Sequence, residues 1–240
     1  MSKRQCAGAA ALAALLICPV AAIDARPLDA DRSVAPVSES RRASLETIQA
    51  LIAAEELDEA LEAAQALLGP GLNGNELAQT HNLLGYIHFK KDDYETALEH
   101  YLQVTAEPGT ITKGLEVQTY YTAAQLSFVL ERYSEAIAHM QAWQRVADAG
   151  MTYPVPHVFI SQVHYKLHDH ESAIVSVRTG LELAEMAGTP VKESWLALLA
   201  YLYYEEGHLE DCIRVTEELR RRFPDGKYDR RLEGLRAVVG

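Results

Sequence analysis

The sequence predicts an all-α fold built from repeated helix hairpins, and three observations carry that expectation. From Ala43 onward the apolar residues follow a helical period, with no alternating strand-like run of useful length. Small residues recur at Ala60, Ala97, Ala136, Ala173 and Cys212, at intervals of 37, 39, 37 and 39 residues. Polar turns and proline-bearing connections punctuate the pattern. The turns fall at Lys91-Asp92-Asp93, Glu131-Arg132, His168-Asp169 and Glu206-Gly207-His208. The connections fall at Pro108-Gly109-Thr110, Tyr153-Pro154-Val155-Pro156 and Gly188-Thr189-Pro190, where proline prevents a helix from continuing.

The chain starts with a segment outside this pattern. Ser2-Lys3-Arg4 is basic, Ala7 to Ala22 is apolar around Leu12, Leu15, Leu16 and Ile17, and Val20-Ala21-Ala22 has the small-residue form of a signal-peptidase site. Residues 1–22 therefore read as a cleaved secretory signal, too short for a comfortable membrane span. The expected location is the bacterial periplasm. Leu15-Leu16-Ile17-Cys18 offers a second reading, a lipid tether, although Ile17 stands where a small residue is expected. Cleavage after Ala22 removes Cys6 and Cys18, leaves Cys212 as the one cysteine, and takes the net charge from −12 to −14 through loss of Lys3 and Arg4. Residues 23–42, with two prolines and scattered charges, read as a flexible linker.

Residues 43–240 then hold about five hairpins and a C-terminal helix near Tyr228 to Val238. With 48% hydrophobic residues in 240 there is material for a core. The net charge of −12 argues against nucleic acid, because phosphate binding needs a basic surface. The hairpin register is threefold. Twelve residues before the last four small positions lie Gly85, Ala124, Ser161 and Ala200, and four after each of those lie Phe89, Phe128, Tyr165 and Tyr204. Three before the small positions lie Leu57, Tyr94, Tyr133, His170 and Leu209. Small residues mark where two helices approach closely, and large ones at three- and four-residue offsets form ridges. The first copy, Ile48 to Leu68, keeps only its second-helix pattern and reads as a degenerate cap.

On these residues the chain resembles a tetratricopeptide repeat (TPR) protein. Leu84-Gly85, Tyr94, Ala97 and Tyr101 match that family's pattern in the second copy. Tyr120, Ala124, Tyr133 and Ala136 match in the third, and Tyr203, Leu219 and Pro224 in the last, where Cys212 replaces alanine. The resemblance implies a right-handed superhelical solenoid of TPR type. Lys192 to Leu199, Tyr203-Tyr204-Glu205 and Phe223 to Tyr228 further resemble the final repeats of periplasmic TPR proteins associated with TonB–ExbB–ExbD systems.

No Ser/His/Asp, Cys/His or glycine-rich phosphate signature stands in a convincing context, so no enzyme activity, cofactor or small-molecule substrate is expected. His157, His164, His168 and His170 form the sharpest side-chain cluster, and His164 and His168 share a helix face. Such spacing can bind zinc, which makes His164, His168 and His170 the metal candidates. The repeat register instead gives His164 a packing position and puts the other two in a turn. Arg220-Arg221-Arg222 and Arg230-Arg231 form the one basic cluster, read as charge complementing helix C-terminal dipoles. Cys212, at a small-residue position, reads as buried and inert.

The first helices of such a solenoid line its groove, and that face is the candidate site for a protein or peptide partner. It carries Asn82, Tyr86 and Phe89, then Tyr121, Gln125 and Phe128, then Gln162 and Tyr165, then Tyr201 and Tyr204. Amides can bond a peptide backbone, and aromatics can hold proline rings or apolar side chains. Ordinary repeat packing accounts equally for Phe89, Phe128, Tyr165 and Tyr204. The expected function is a non-catalytic interaction scaffold of the cell envelope, accessory to a TonB-type transport system. A lipid-tethered envelope or pilus assembly adaptor is the second reading, and a histidine-cluster metal protein the third.

Overall fold

The computed structural model describes Arg32, residues 34–147 and residues 153–239. The expected signal segment 1–22, with Cys6 and Cys18, and most of the expected linker lie outside the described residues. Among the described residues there are eleven helices and no strand. None of these helices is long and apolar enough to cross a membrane. The chain divides into two compact units, one ending at Ala147 and one starting at Asp148.

The first unit holds three hairpins. Helices α1 (Glu39–Ala53) and α2 (Leu57–Leu67) form the first, α3 (Gly74–Lys90) and α4 (Tyr94–Val104) the second, α5 (Lys113–Val129) and α6 (Tyr133–Val146) the third. The second unit holds α7 (Pro154–Lys166) with α8 (His170–Met186), α9 (Glu193–Glu205) with α10 (Leu209–Arg222), and the terminal α11 (Tyr228–Val239). Within each unit the second helix of a hairpin packs on the first helix of the next. One hairpin cannot bury its apolar face alone, and stacking of this kind closes the core.

The small-residue register is the core register. Ala60, Ala97, Ala124, Ala136, Ala173, Ala200 and Cys212 have no solvent exposure. A Cβ added at Gly85 would stand 3.0 Å from the Tyr101 ring, so the α3–α4 approach requires a glycine there. Cys212 donates its thiol to the Ala200 carbonyl at 3.1 Å, joining the two small positions of one hairpin. The ring register is equally direct. Phe89 packs on Tyr94 at 5.8 Å, Phe128 on Tyr133 at 5.5 Å, and Tyr165 on His170 at 5.7 Å, each across its hairpin turn.

Each hairpin turns by the same backbone device. The amides of Glu56, Asp93, Arg132, Asp169 and His208 bond the carbonyls of Leu51, His88, Ser127, His164 and Tyr203, all within 3.0 Å. This six-residue closure puts the residue before each amide in the left-handed region. Those residues are Glu55, Asp92, Glu131 and His168, with φ between 59° and 60°, and Gly207 with φ 73°.

Three expectations need correction. The first copy is a complete hairpin. Ile48, twelve residues before Ala60, is large yet only 1% exposed, so this pair of helices packs around a bulky residue in place of a small one. Residues 39–42 are the first turn of α1 and not linker. Pro154 and Pro156 do not lie in the connection before α7 but in its first turn, where their missing N–H groups have no intrahelical partner to lose.

Candidate functional site

In the first unit, α3 starts with a capping box: the Asn73 side chain accepts from the Glu76 amide and the Glu76 carboxylate accepts from the Asn73 amide, both at 3.0 Å. This fixes the rotamers of both side chains and directs their remaining groups away from the helix. Asn73 Nδ2 donates to the Pro36 carbonyl at 3.0 Å, and Asn75 Nδ2 donates to the Ala35 carbonyl at 2.8 Å. Glu76 Oε1 accepts from both the amide and the hydroxyl of Ser38, at 2.9 and 2.8 Å. The backbone bond from Ser38 is the largest cause holding the Glu76 carboxyl below its ordinary pKa.

Beside this clasp is a cavity of about 210 Å³ between first helices. Leu45 and Gln49 come from α1, Asn75, Gln79, Asn82 and Leu83 from α3, and Leu115 from α5. Asn82 thus borders an open space, and Tyr86, one turn further, is exposed. Phe89 is half-buried between Tyr86 and Tyr94. Tyr121, Gln125 and Phe128 are placed differently: they are buried at 8, 4 and 8% exposure. The reason is that α5 is covered over most of its surface, with every residue from Ala123 to Phe128 buried and its exposure centred on Gln118 instead. These three do not form an open face.

In the second unit, Tyr165 on α7 and Tyr201 on α9 meet edge to face at 5.7 Å, with their hydroxyls 3.3 Å apart. That hydroxyl contact is the main cause pushing the Tyr201 pKa up to about 12. Gln162 is half-buried. Tyr204 is 53% exposed, because its partner across the turn is Leu209 and not a ring. Tyr201 and Tyr204 line a cavity of about 840 Å³ with Leu209, Leu235, Val238, Arg230 and Arg231. Neither guanidinium joins a salt bridge among the described residues. Both lie in the first turn of α11, at the positive end of its dipole. The dipole reading therefore holds for Arg220–Arg222, in the last turn of α10, and fails for Arg230 and Arg231.

The histidine candidates are taken up by carboxylates. His164 Nδ1 is 3.2 Å from Asp169 Oδ2, a close ion-pair contact without hydrogen-bond geometry, and His170 Nδ1 is 2.7 Å from Glu206. His168 is exposed, 6.4 Å ring to ring from His170. Among the described residues no group of three or more histidines, cysteines and carboxylates is placed to hold a metal.

Sequence reasoning missed the clasp, although Asn73-Gly-Asn75-Glu76 carries the capping-box signature openly. It also missed Arg230 and Arg231 as cavity residues, because the cavity brings together side chains of separate helices, which no local pattern reports.

Comparison with known proteins agrees with this architecture. Residues 78–106 match the tetratricopeptide repeat family model. Among solved structures, the fold is similar to a MamA protein at 14% identity and TM-score 0.64, over 77% of this chain and 92% of that one. It is similar to MamA from residue 41 to its end of Desulfovibrio magneticus RS-1 at 10% identity and TM-score 0.61, over 80% and 99%. The apo form of RapI gives 12% identity and TM-score 0.62, over 75% and 69%. No curated protein sequence matches. The fold is an all-α helix-hairpin solenoid of TPR type.

Proposed function

We propose that this chain is a non-catalytic scaffold that captures extended peptide segments of partner proteins on its first-helix faces. The observation that carries the reading is the cavity beside Tyr201 and Tyr204. It combines exposed rings, apolar walls from Leu235 and Val238, and two guanidiniums held against their helix dipole without salt bridges among the described residues. Packing alone leaves such groups without a purpose, whereas rings and arginines bind side chains and carboxylates. Recurrence of the hairpin supports a binding role further, since stacked repeats present long surfaces rather than one reaction centre.

The finer reading is that the chain works in the bacterial envelope after signal cleavage, as an accessory to a TonB-type transport system. Its support is the sequence: the basic and apolar start, and the resemblance of its last repeats. Isothermal titration of the mature chain with a TonB-type periplasmic segment at low salt tests the partner. The expected result is saturable heat that falls at least tenfold in affinity in Tyr204→Ala, and absence of heat sinks the TonB reading. Mass spectrometry of the processed chain tests the rest: a free N-terminus near Ile23 is expected, and an acylated Cys18 would favour the lipid-tethered adaptor.

A further inference from the structure

Arg32, Ala35, Pro36 and Ser38 contact the starts of α3 and α5 in the manner of a bound peptide. Asn75 and Asn73 read the carbonyls of the successive residues Ala35 and Pro36, which makes that part of the clasp indifferent to side-chain identity. Glu76 takes the Ser38 amide and hydroxyl. At the far end Arg32 places Nη1 2.6 Å from Glu116 Oε2 and 3.2 Å from the Ile111 carbonyl. The contact with Glu116 is a close ion pair rather than a well-directed hydrogen bond.

The two sides of this contact differ in character. With the segment in place Glu116 and Glu76 are each 4% exposed, so both carboxylates are out of water in the bound arrangement. A buried carboxylate is unfavourable unless a cation and donors meet it, and here they come from the segment. The segment itself is thinly held. Ala35, Pro36 and Ser38 are exposed, and Val37 packs against the neighbouring apolar cluster of α1–α3. Helix side chains that meet the segment at two carbonyls, one amide, one hydroxyl and one guanidinium form a site that another peptide of the same chemistry can fill. The open cavity bordered by Asn75, Gln79 and Asn82 continues from the clasp and gives a longer peptide somewhere to go.

We propose that the starts of α3 and α5 form a binding site for an extended peptide carrying an arginine or lysine and, about six residues later, a serine, and that the chain's own Arg32 and residues 34–38 occupy this site in cis. A partner segment of that chemistry displaces them. The charge agrees: the chain is acidic, and the Glu116 carboxylate selects a cationic side chain where Arg32 sits. This inference rests on the peptide-capture reading above but concerns a different unit of the chain.

The test uses the mature chain and a fluorescein-labelled peptide of sequence Asp-Arg-Ser-Val-Ala-Pro-Val-Ser, copying residues 31–38. Fluorescence anisotropy should show binding to Arg32→Ala, whose cis occupant is weakened, at least tenfold tighter than to the wild-type chain. Adding Asn75→Ala to Arg32→Ala should remove that binding. Hydrogen exchange on the unsubstituted chain provides a second readout that needs no variant to fold: excess peptide should accelerate exchange of the Ser38 amide. Equal peptide affinity for the wild-type and Arg32→Ala chains, or binding unaffected by Asn75→Ala, would overturn the proposal, as would a Ser38 amide unchanged by saturating peptide. Binding of other segments through Tyr204 persists in that event, which separates failure here from failure of the general reading.

Discussion

Nδ1 of His81 lies 2.9 Å from Nδ1 of His100, across the interface of α3 and α4. The two nitrogens can bond only if one carries a proton and the other a lone pair, so the contact requires a neutral imidazole. His88 stacks on His100 at 5.4 Å and in turn bonds Asp93 at 3.0 Å. Burial is the chief cause that lowers His100 to about 4, with His81 and His88 adding to it and Asp93 opposing, and burial lowers His81 too.

The hairpin should therefore lose stability in acid. The unfolded chain takes up protons on both rings near pH 6.5, whereas in the folded chain both are held lower, His100 at about 4, so stability is fullest above 6.5 and declines as pH falls toward 4. Both residues are only partly buried, and with solvent screening the loss is about 1–2 kcal/mol. Urea midpoints between pH 7.5 and 5 should fall for the wild-type chain and fall less for His100→Gln. Equal slopes would exclude the pair as the cause.

Left-handed turn residues give a second prediction. Glu131 is exposed with φ 59°, where a side chain costs about 1 kcal/mol that glycine avoids. Glu131→Gly should raise stability by about 0.5–1 kcal/mol after the entropy that glycine adds to the unfolded chain. Gly207→Ala, at the same place in its own hairpin, should lower stability by a similar amount. Denaturant midpoints with unchanged slope check both.

Gly180 is a third test. An added Cβ would meet the Val158 side chain at 2.8 Å and the Pro154 carbonyl at 3.0 Å. The carbonyl belongs to a helix start pinned by two prolines and cannot yield as a flexible side chain would. Gly180→Ala should cost about 1–3 kcal/mol despite alanine's better helix propensity. Thermal melts of the two forms decide it.

Cys212 offers a chemical check. It is fully buried and donates to Ala200. A thiolate reagent reaches only exposed sulfur. Labelling of the native chain should be at least a hundredfold slower than in urea, and comparable rates would place Cys212 outside the core.

The recurring spacings already reported the hairpin in residue types. Ala97, Ala136, Ala173 and Cys212 are where helices touch, and local sequence decides such sites because only a small side chain fits. Phe89, Phe128 and Tyr165 were legible as aromatics but not as binders or packers, since that depends on whether a ring faces them across the turn. Tyr204 faces Leu209 and stays open, which no spacing reports. Tyr121 and Gln125 were misplaced for the same reason: helical period shows which residues share a face, not how many faces of α5 are covered. The cavity with Arg230 and Arg231, and the hold of Asn73, Asn75 and Glu76 on residues 35–38, join residues dozens of positions apart.

The central claim, that the first-helix faces capture peptide, is tested most directly by site-specific photocrosslinking in growing cells. A photoreactive phenylalanine analogue replaces Tyr204 in one chain and Val175, 63% exposed on the second helix α8, in another. The account predicts a discrete protein adduct from position 204 that disappears with Arg231→Glu, and none from position 175. Adducts at both positions alike, or at 175 alone, would contradict it.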